Sequence, residues 1–263
     1  MGAYATAAMD RFSSFDGTGI AYTVAGDGPD ALLLHGFAAD HKVNWVAPGV
    51  VDALVASGRR VIALDARGHG RSDKPHDPAA YEDDAMKRDA MGLLDHLGVE
   101  HVDVIGYSMG ALVSTRLVPD EPRTRSCVLG GIGGRVKGRR GFSDERRARI
   151  ADALTTDDPS SITDPSARAF RAFADQTGAD RIALAAIQRA ATPSARTRLD
   201  DFTVPTLVLV GDDDAIAGSA EGLAERIPGA VARTIKGTHL GAVLDPEFAR
   251  SIVDFVTGVA VVT

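Results

Sequence analysis

A serine acts as a nucleophile when a base takes its proton and a third group orients that base. The chain places such a set at suggestive points. Ser108 stands in Gly106-Tyr107-Ser108-Met109-Gly110, after the apolar run Val102-Asp103-Val104-Ile105 and before an apolar helical pattern. Five letters are a weak signal in a chain with 28 glycines among 263 residues. The setting between strand and helix gives them weight: so tight a turn leaves no room for side chains at 106 and 110. It would push the Ser108 hydroxyl to its tip, where the helix starting near Met109 turns free N–H groups outward. His239 follows a strand-like run over 231–235 and is the expected base. Asp212, Asp213 and Asp214 follow the apolar run ending at Val210 and are the expected orienters.

The elements that must position these residues are legible as alternating patterns. Strands are expected over 11–15 and 20–25, joined by the turn Asp16-Gly17-Thr18-Gly19. Short apolar runs at 31–34, 60–64, 102–107, 127–129 and 206–210 read as strands buried on both faces. Helical spacing is seen at 45–57 and 86–97, and near 109–117, 220–227 and 246–257. This alternation predicts an α/β fold: a mostly parallel, eight-stranded sheet with helices on both faces. The series breaks at 133–201, where three helical segments stand between Pro-bearing loops. That block reads as a small helical cap inserted after the sixth strand, with 1–132 and 202–263 forming one core domain.

Composition narrows the function classes. Apolar residues make up 44% and charged residues 25%, as in ordinary globular proteins. A net charge of −7 gives no footprint for nucleic acid. No apolar run approaches a membrane span and no secretory leader is evident, so a cytoplasmic location is expected. The loose acylation pattern at Met1-Gly2 has no second membrane signal beside it. Cys127 cannot form an internal disulfide and reads as a core thiol. No His/Cys/Asp set has metal-ligand spacing and no Gly-x-Gly-x-x-Gly follows the first strand, so no cofactor is implied.

Nearly the whole chain resembles the α/β-hydrolase superfamily. His35-Gly36-Phe37 is similar to the family's oxyanion segment. Asp65-x-Arg67-Gly68-x-Gly70-x-Ser72 is similar to its loop after the fourth strand. The order Ser, Asp, His, each after a strand, is the family's order. The resemblance implies Ser108 as nucleophile, His239 as base and Asp214, three residues after Gly211, as orienter. It also implies the N–H groups of Phe37 and Met109 as the oxyanion hole. The family often has Pro a few residues past the acid, where this chain has Ala215-Ile216-Ala217-Gly218. Thr238 stands before the histidine where Gly is common.

The expected activity is hydrolysis of a small carboxylic ester, thioester or lactone through an acyl-enzyme. Dehalogenases and epoxide hydrolases of this fold carry Asp at the elbow, so Ser108 argues against both. C–C bond hydrolysis, perhydrolase or haloperoxidase-like chemistry, and a non-catalytic binding module remain as alternatives. His35, Arg67, His69 and Asp73 are expected to brace loops, and His41, His76, His96 and His101 to have no special role. The cap contributes the aromatics Phe142, Phe170 and Phe173. Arg135, Lys137, Arg139, Arg140, Arg146, Arg147 and Arg149 give it a basic stretch, either a solvated face or an attractor for an anionic substrate.

Overall fold

The computed structural model describes residues 8–135, 143–190 and 198–259. Its strands are β1 (Met9–Ser13), β2 (Gly19–Ala25), β3 (Asp30–Leu34), β4 (Arg60–Leu64), β5 (Val102–Tyr107), β6 (Thr124–Gly130), β7 (Thr206–Gly211) and β8 (Val231–Ile235). They form one sheet in the order β1-β2-β4-β3-β5-β6-β7-β8. β1 pairs antiparallel with β2, and β2 with β4; the remaining pairings are parallel. This is the mostly parallel eight-stranded sheet that the sequence predicts.

The period-2 alternation of side chains builds a core on each face. Leu32, Leu34, Ile62, Leu64 and Val104 face α2 (Ala85–His96), α3 (Met109–Leu117) and α7 (Ala220–Ala224). Ala31, Leu33, Val61, Ala63 and Ile105 face α1 (Val50–Ala56) and α8 (Pro246–Gly258). Parallel strands covered on both faces need apolar residues at every position, which is why they read as continuous runs.

Several element ends differ from expectation. The first strand of the opening hairpin sits two residues earlier, leaving Phe15 half exposed beside the Arg67 and Arg88 guanidiniums. The helix expected over 45–57 is two pieces: a π-helical turn Lys42–Val46 and then α1. Pro48 has no N–H with which to continue the first piece, and Gly49 turns left-handed (φ 79°) to start the second. α7 stops at Ala224, just short of Pro228-Gly229.

Between β6 and β7 lie α4 (Asp144–Thr155), α5 (Pro165–Thr177) and α6 (Arg181–Arg189). Each begins on a side-chain cap that its sequence supplies: Ser143, Asp164 and Asp180 accept N–H groups of the first turn. Their apolar sides form a separate cluster with Phe37, Ala38 and Met109. The inserted helices therefore rest on the ends of β3 and β5.

Candidate active site

The order in which strands are added to the sheet switches sides at β3, whose parallel neighbours are β4 on one side and β5 on the other. Crevices form outside the carboxyl ends of strands at such a point. The loop after β3 carries Phe37, and the turn after β5 carries Ser108.

That turn is as tight as the glycines require. A Cβ at Gly106 would stand 2.6 Å from the Ala111 nitrogen, and one at Gly110 would overlap the Leu34 carbonyl. Ser108 itself is held at φ 51°, ψ −107°, an uncommon conformation for a residue with a side chain. Its N–H donates to the Gly130 carbonyl at 2.8 Å.

Ser108, His239 and Asp214 are brought together. Ser108 Oγ lies 2.9 Å from His239 Nε2. His239 Nδ1 lies 2.8 Å from Asp214 Oδ2. Asp214 is buried and its other oxygen accepts the N–H groups of Ile216 and Ala217, each at 2.9 Å. Burial pushes its carboxyl pKa up, but the His239 hydrogen bond and charge and those two N–H groups outweigh it, leaving it below the usual range. Asp212 turns the other way, to Lys236 Nζ (2.6 Å) and the Gly237 N–H (3.0 Å), and Asp213 is exposed.

Two supports escaped the sequence. Tyr107, the variable residue of the elbow, donates its hydroxyl to the His239 carbonyl at 2.6 Å. Asn44 Oδ1 accepts the Gly36 N–H at 2.6 Å. No spacing rule marks either residue, since each acts across a long stretch of chain or through a loop conformation.

The N–H groups of the loop after β3 can be accounted for one by one. Gly36 serves Asn44, Ala38 donates to His69 Nε2 (3.2 Å), and Ala39 donates to the Gly36 carbonyl. The Phe37 N–H has no acceptor among the described residues, and neither has that of Met109 at the first position of α3. A Cβ on Gly36 would be 3.5 Å from that of Ser108, so this loop runs directly beside the serine.

His35 and His69 brace that loop. His35 Nδ1 donates to the Gly36 carbonyl while Nε2 accepts the Ala66 N–H. His69 Nδ1 donates to the Arg67 carbonyl while Nε2 accepts from Ala38. Each ring must be neutral to accept. Burial, then the neighbouring His35, pushes the His69 pKa down to about 3. An unfolded imidazole titrates near 6.5. The unfolded chain thus takes up the proton first, and the stability held by neutral His69 is lost as pH falls from about 6.5 toward 3. Urea unfolding should show a loss on the order of 3 kcal/mol from this group by pH 4. His69→Gln should be weaker at pH 7 with a flatter slope below 6.5; equal slopes would refute the assignment.

Arg67 is fully buried and makes a two-pronged pair with buried Asp89, at 2.6 and 2.7 Å, while a further nitrogen reaches Asp16 at 2.7 Å. Asp73 accepts the Gly19 N–H and pairs with Arg11. Both tie the loop after β4 to the β1–β2 hairpin. His41, expected to be incidental, is buried with Nδ1 2.7 Å from Asp65 Oδ1. Asp40, His41 and Asp65 bring three possible metal-ligand atoms within 4.8 Å of one another, a grouping invisible in their spacing. Asp65 is already committed to the His41 ring, the His41 N–H and the Arg71 N–H. His76, likewise expected to be incidental, contacts Asp180 at the start of α6, and the His96 ring stacks on Phe12.

In the basic stretch, Arg135 reaches the Ala215 carbonyl and Arg146 reaches Ser166. Arg147 reaches the carbonyls of Ile187 and Ala190, and Arg149 pairs with Asp164. Each of these four therefore has a partner within the fold. Lys137, Arg139, Arg140 and Phe142 lie outside the described residues, as does the Met1-Gly2 pattern. Cys127 is buried, and no described helix is long and apolar enough to cross a membrane.

The family model for the alpha/beta hydrolase fold matches residues 32–170. The chain belongs to that family. Among solved alpha/beta hydrolases and related structures it is similar to the enol-lactonase from Burkholderia xenovorans LB400. The two share 26% identity over 94% of this chain and 100% of that one, with a TM-score of 0.77. An esterase from Rhodococcus sp. ECU1013 shares 27% identity over 96% and 99%, with a TM-score of 0.75. Epoxide hydrolase B of Mycobacterium tuberculosis is 39% identical over 87 residues, 33% of this chain and 24% of that relative. The first curated relatives are matched over little more than a third of their own length, 36% to 39%. Esterase, lactonase and epoxide hydrolase are thus among the proteins that this alpha/beta hydrolase-fold chain resembles.

Proposed function

We propose that the protein is a serine hydrolase of small-molecule carboxylic esters, thioesters or lactones, working through an acyl-enzyme. One observation carries the reading: Ser108 Oγ, His239 and Asp214 form an unbroken hydrogen-bonded series beside two N–H groups with no described acceptor. His239 Nε2 takes the Ser108 proton as Oγ attacks the carbonyl carbon. Asp214 holds Nδ1–H and stabilises the imidazolium. The carbonyl oxygen gains negative charge and is met by the N–H groups of Phe37 and Met109, which in comparable sites contribute ~2.7–4 kcal/mol each. His239 then protonates the leaving alcohol or thiol, and the same series activates water to release the acid.

Serine at the elbow sets this chain apart from the epoxide-opening relative, because attack by an Asp carboxylate and acyl transfer by Ser are different first steps. The likeness to an esterase and an enol-lactonase supports the same choice. Residues 133–201 act as the cap over a core of 1–132 and 202–263; Phe37 meets Phe170 edge-on at 5.7 Å across that junction. The substrate is a small molecule that fits beneath it, and a single buried thiol suits a reducing cytoplasm.

A fluorophosphonate probe tests the reading on the intact chain. Stoichiometric labelling of Ser108, together with turnover of p-nitrophenyl esters, is the expected result. A protein that is neither labelled nor active on esters, thioesters or lactones is not a serine hydrolase.

A further inference from the structure

Ala38, next to the Phe37 N–H, is fully buried and left-handed at φ 60°. A residue with a Cβ stays there only when its surroundings hold it. Both of its peptide groups are held from outside the loop. Its N–H donates to His69 Nε2, on the loop after β4. Its carbonyl accepts Thr177 Oγ1 at 2.9 Å, from the last residue of α5 in the inserted helices. The same hydroxyl lies 3.0 Å from the Phe173 carbonyl and 3.2 Å from that of Ala174. Those oxygens already serve the helix: Ala174 accepts the N–H of Ala179, and Phe173 is four residues before Thr177 in α5. Ala38 has no other donor among the described residues, and a buried carbonyl left unpaired is costly. The Thr177 proton is therefore assigned to Ala38.

We propose that Thr177 is a positioning residue for the oxyanion donor: from the inserted helices it fixes Ala38 in its left-handed turn and so aims the Phe37 N–H at Ser108. This rests on the serine-hydrolase reading for its catalytic consequence, though not for its structural one. It makes the insertion part of the catalytic apparatus as well as a cover. Phe37 and Ala38 pack in the same apolar cluster as Phe170 and Phe173 of α5, so whatever seats α5 also seats the donor.

The test compares Thr177→Val, which keeps the shape and loses the hydroxyl, with Thr177→Ser, which keeps the hydroxyl. Thr177→Ala serves as a second hydroxyl-free variant should the packing of the introduced valine impair folding. On p-nitrophenyl butyrate, Thr177→Val should lose kcat by about fivefold to tenfold, the scale of one hydrogen bond. KM should stay within about twofold, and Thr177→Ser should recover most of the rate. Amide hydrogen exchange, read without substrate, should be about tenfold faster at Ala38 in the hydroxyl-free variants only. Wild-type kcat in Thr177→Val, or equal impairment in Thr177→Ser, overturns the proposal. If the wild-type chain is neither labelled by the fluorophosphonate nor active on esters, thioesters or lactones, the hydrolase reading fails instead, and exchange at Ala38 decides alone: faster exchange supports the clamp, unchanged exchange rejects it.

Discussion

Ser108→Ala is expected to abolish acyl transfer while leaving the fold intact. The hydroxyl at the tip of the elbow makes one side-chain hydrogen bond, to His239 Nε2. No other group in that series can attack a carbonyl carbon. In a serine protease, loss of the nucleophile alone costs about a millionfold in kcat, because the remaining members act only through it. What survives is the contribution of the oxyanion hole and of binding, ~10³–10⁴-fold over water. Stability should scarcely change, because alanine occupies the same strained backbone (φ 51°) and keeps the Ser108 Cβ in place. Ser108→Gly is the informative control. It removes the nucleophile and also the steric penalty of that conformation, so it should be equally dead and more stable by about 1 kcal/mol. Steady-state turnover, fluorophosphonate labelling and thermal melting check all three outcomes. A Ser108→Ala protein retaining more than a tenth of its activity would end the serine-hydrolase proposal.

The fold was legible because its strands are short, continuous and apolar, which is the pattern of a sheet covered on both faces. Leu32 and Leu33 go to opposite cores, yet both must be apolar, so the run announces the strand without naming its faces. Where local chemistry competes with pattern, the pattern misleads. The apolar spacing across Trp45 and Leu54 suggests one helix, and Pro48 divides it. At the candidate site, Ser108, Asp214 and His239 could be nominated because each follows a strand and carries side-chain chemistry in its type. The supports could not. Tyr107 acts through a hydroxyl on a backbone carbonyl 132 residues away, and Thr177 reaches across 139. His41 looked incidental because its partner, Asp65, is 24 residues off and the bond depends on how two loops pack. A contact made by three-dimensional packing leaves no period in the sequence. The apolar junction of α4–α6 with Phe37, Met109 and Ile216 is of this second kind.

Asp214→Asn is expected to be the second severe lesion, while Asp212→Asn and Asp213→Asn keep most activity. The argument turns on what surrounds each carboxylate. Asp214 Oδ1 accepts two backbone N–H groups and Oδ2 faces the His239 Nδ1. An asparagine has one oxygen to offer, and two N–H donors outweigh one imidazole in the competition for it. The amide nitrogen then faces Nδ1, which must become an acceptor. That moves the ring proton to Nε2, the tautomer that cannot take a proton from Ser108. A serine protease with this substitution loses roughly 10⁴ in kcat. Asp212 offers no rescue, because its carboxylate is directed at Lys236 and the Gly237 N–H. As an asparagine it can still accept from Gly237, and the Lys236 pair it gives up is exposed, where such pairs contribute little. Asp213 is exposed, and its backbone N–H, not its carboxylate, meets the Gly237 carbonyl. Three single variants assayed on one activated ester, with ¹⁵N shifts of His239 reporting the tautomer, make the comparison. A dead Asp212→Asn beside a healthy Asp214→Asn would move the orienting role two residues back toward β7. A healthy Asp214→Asn with the other two also healthy would mean that His239 needs no carboxylate, and the proposed proton path would fall with it.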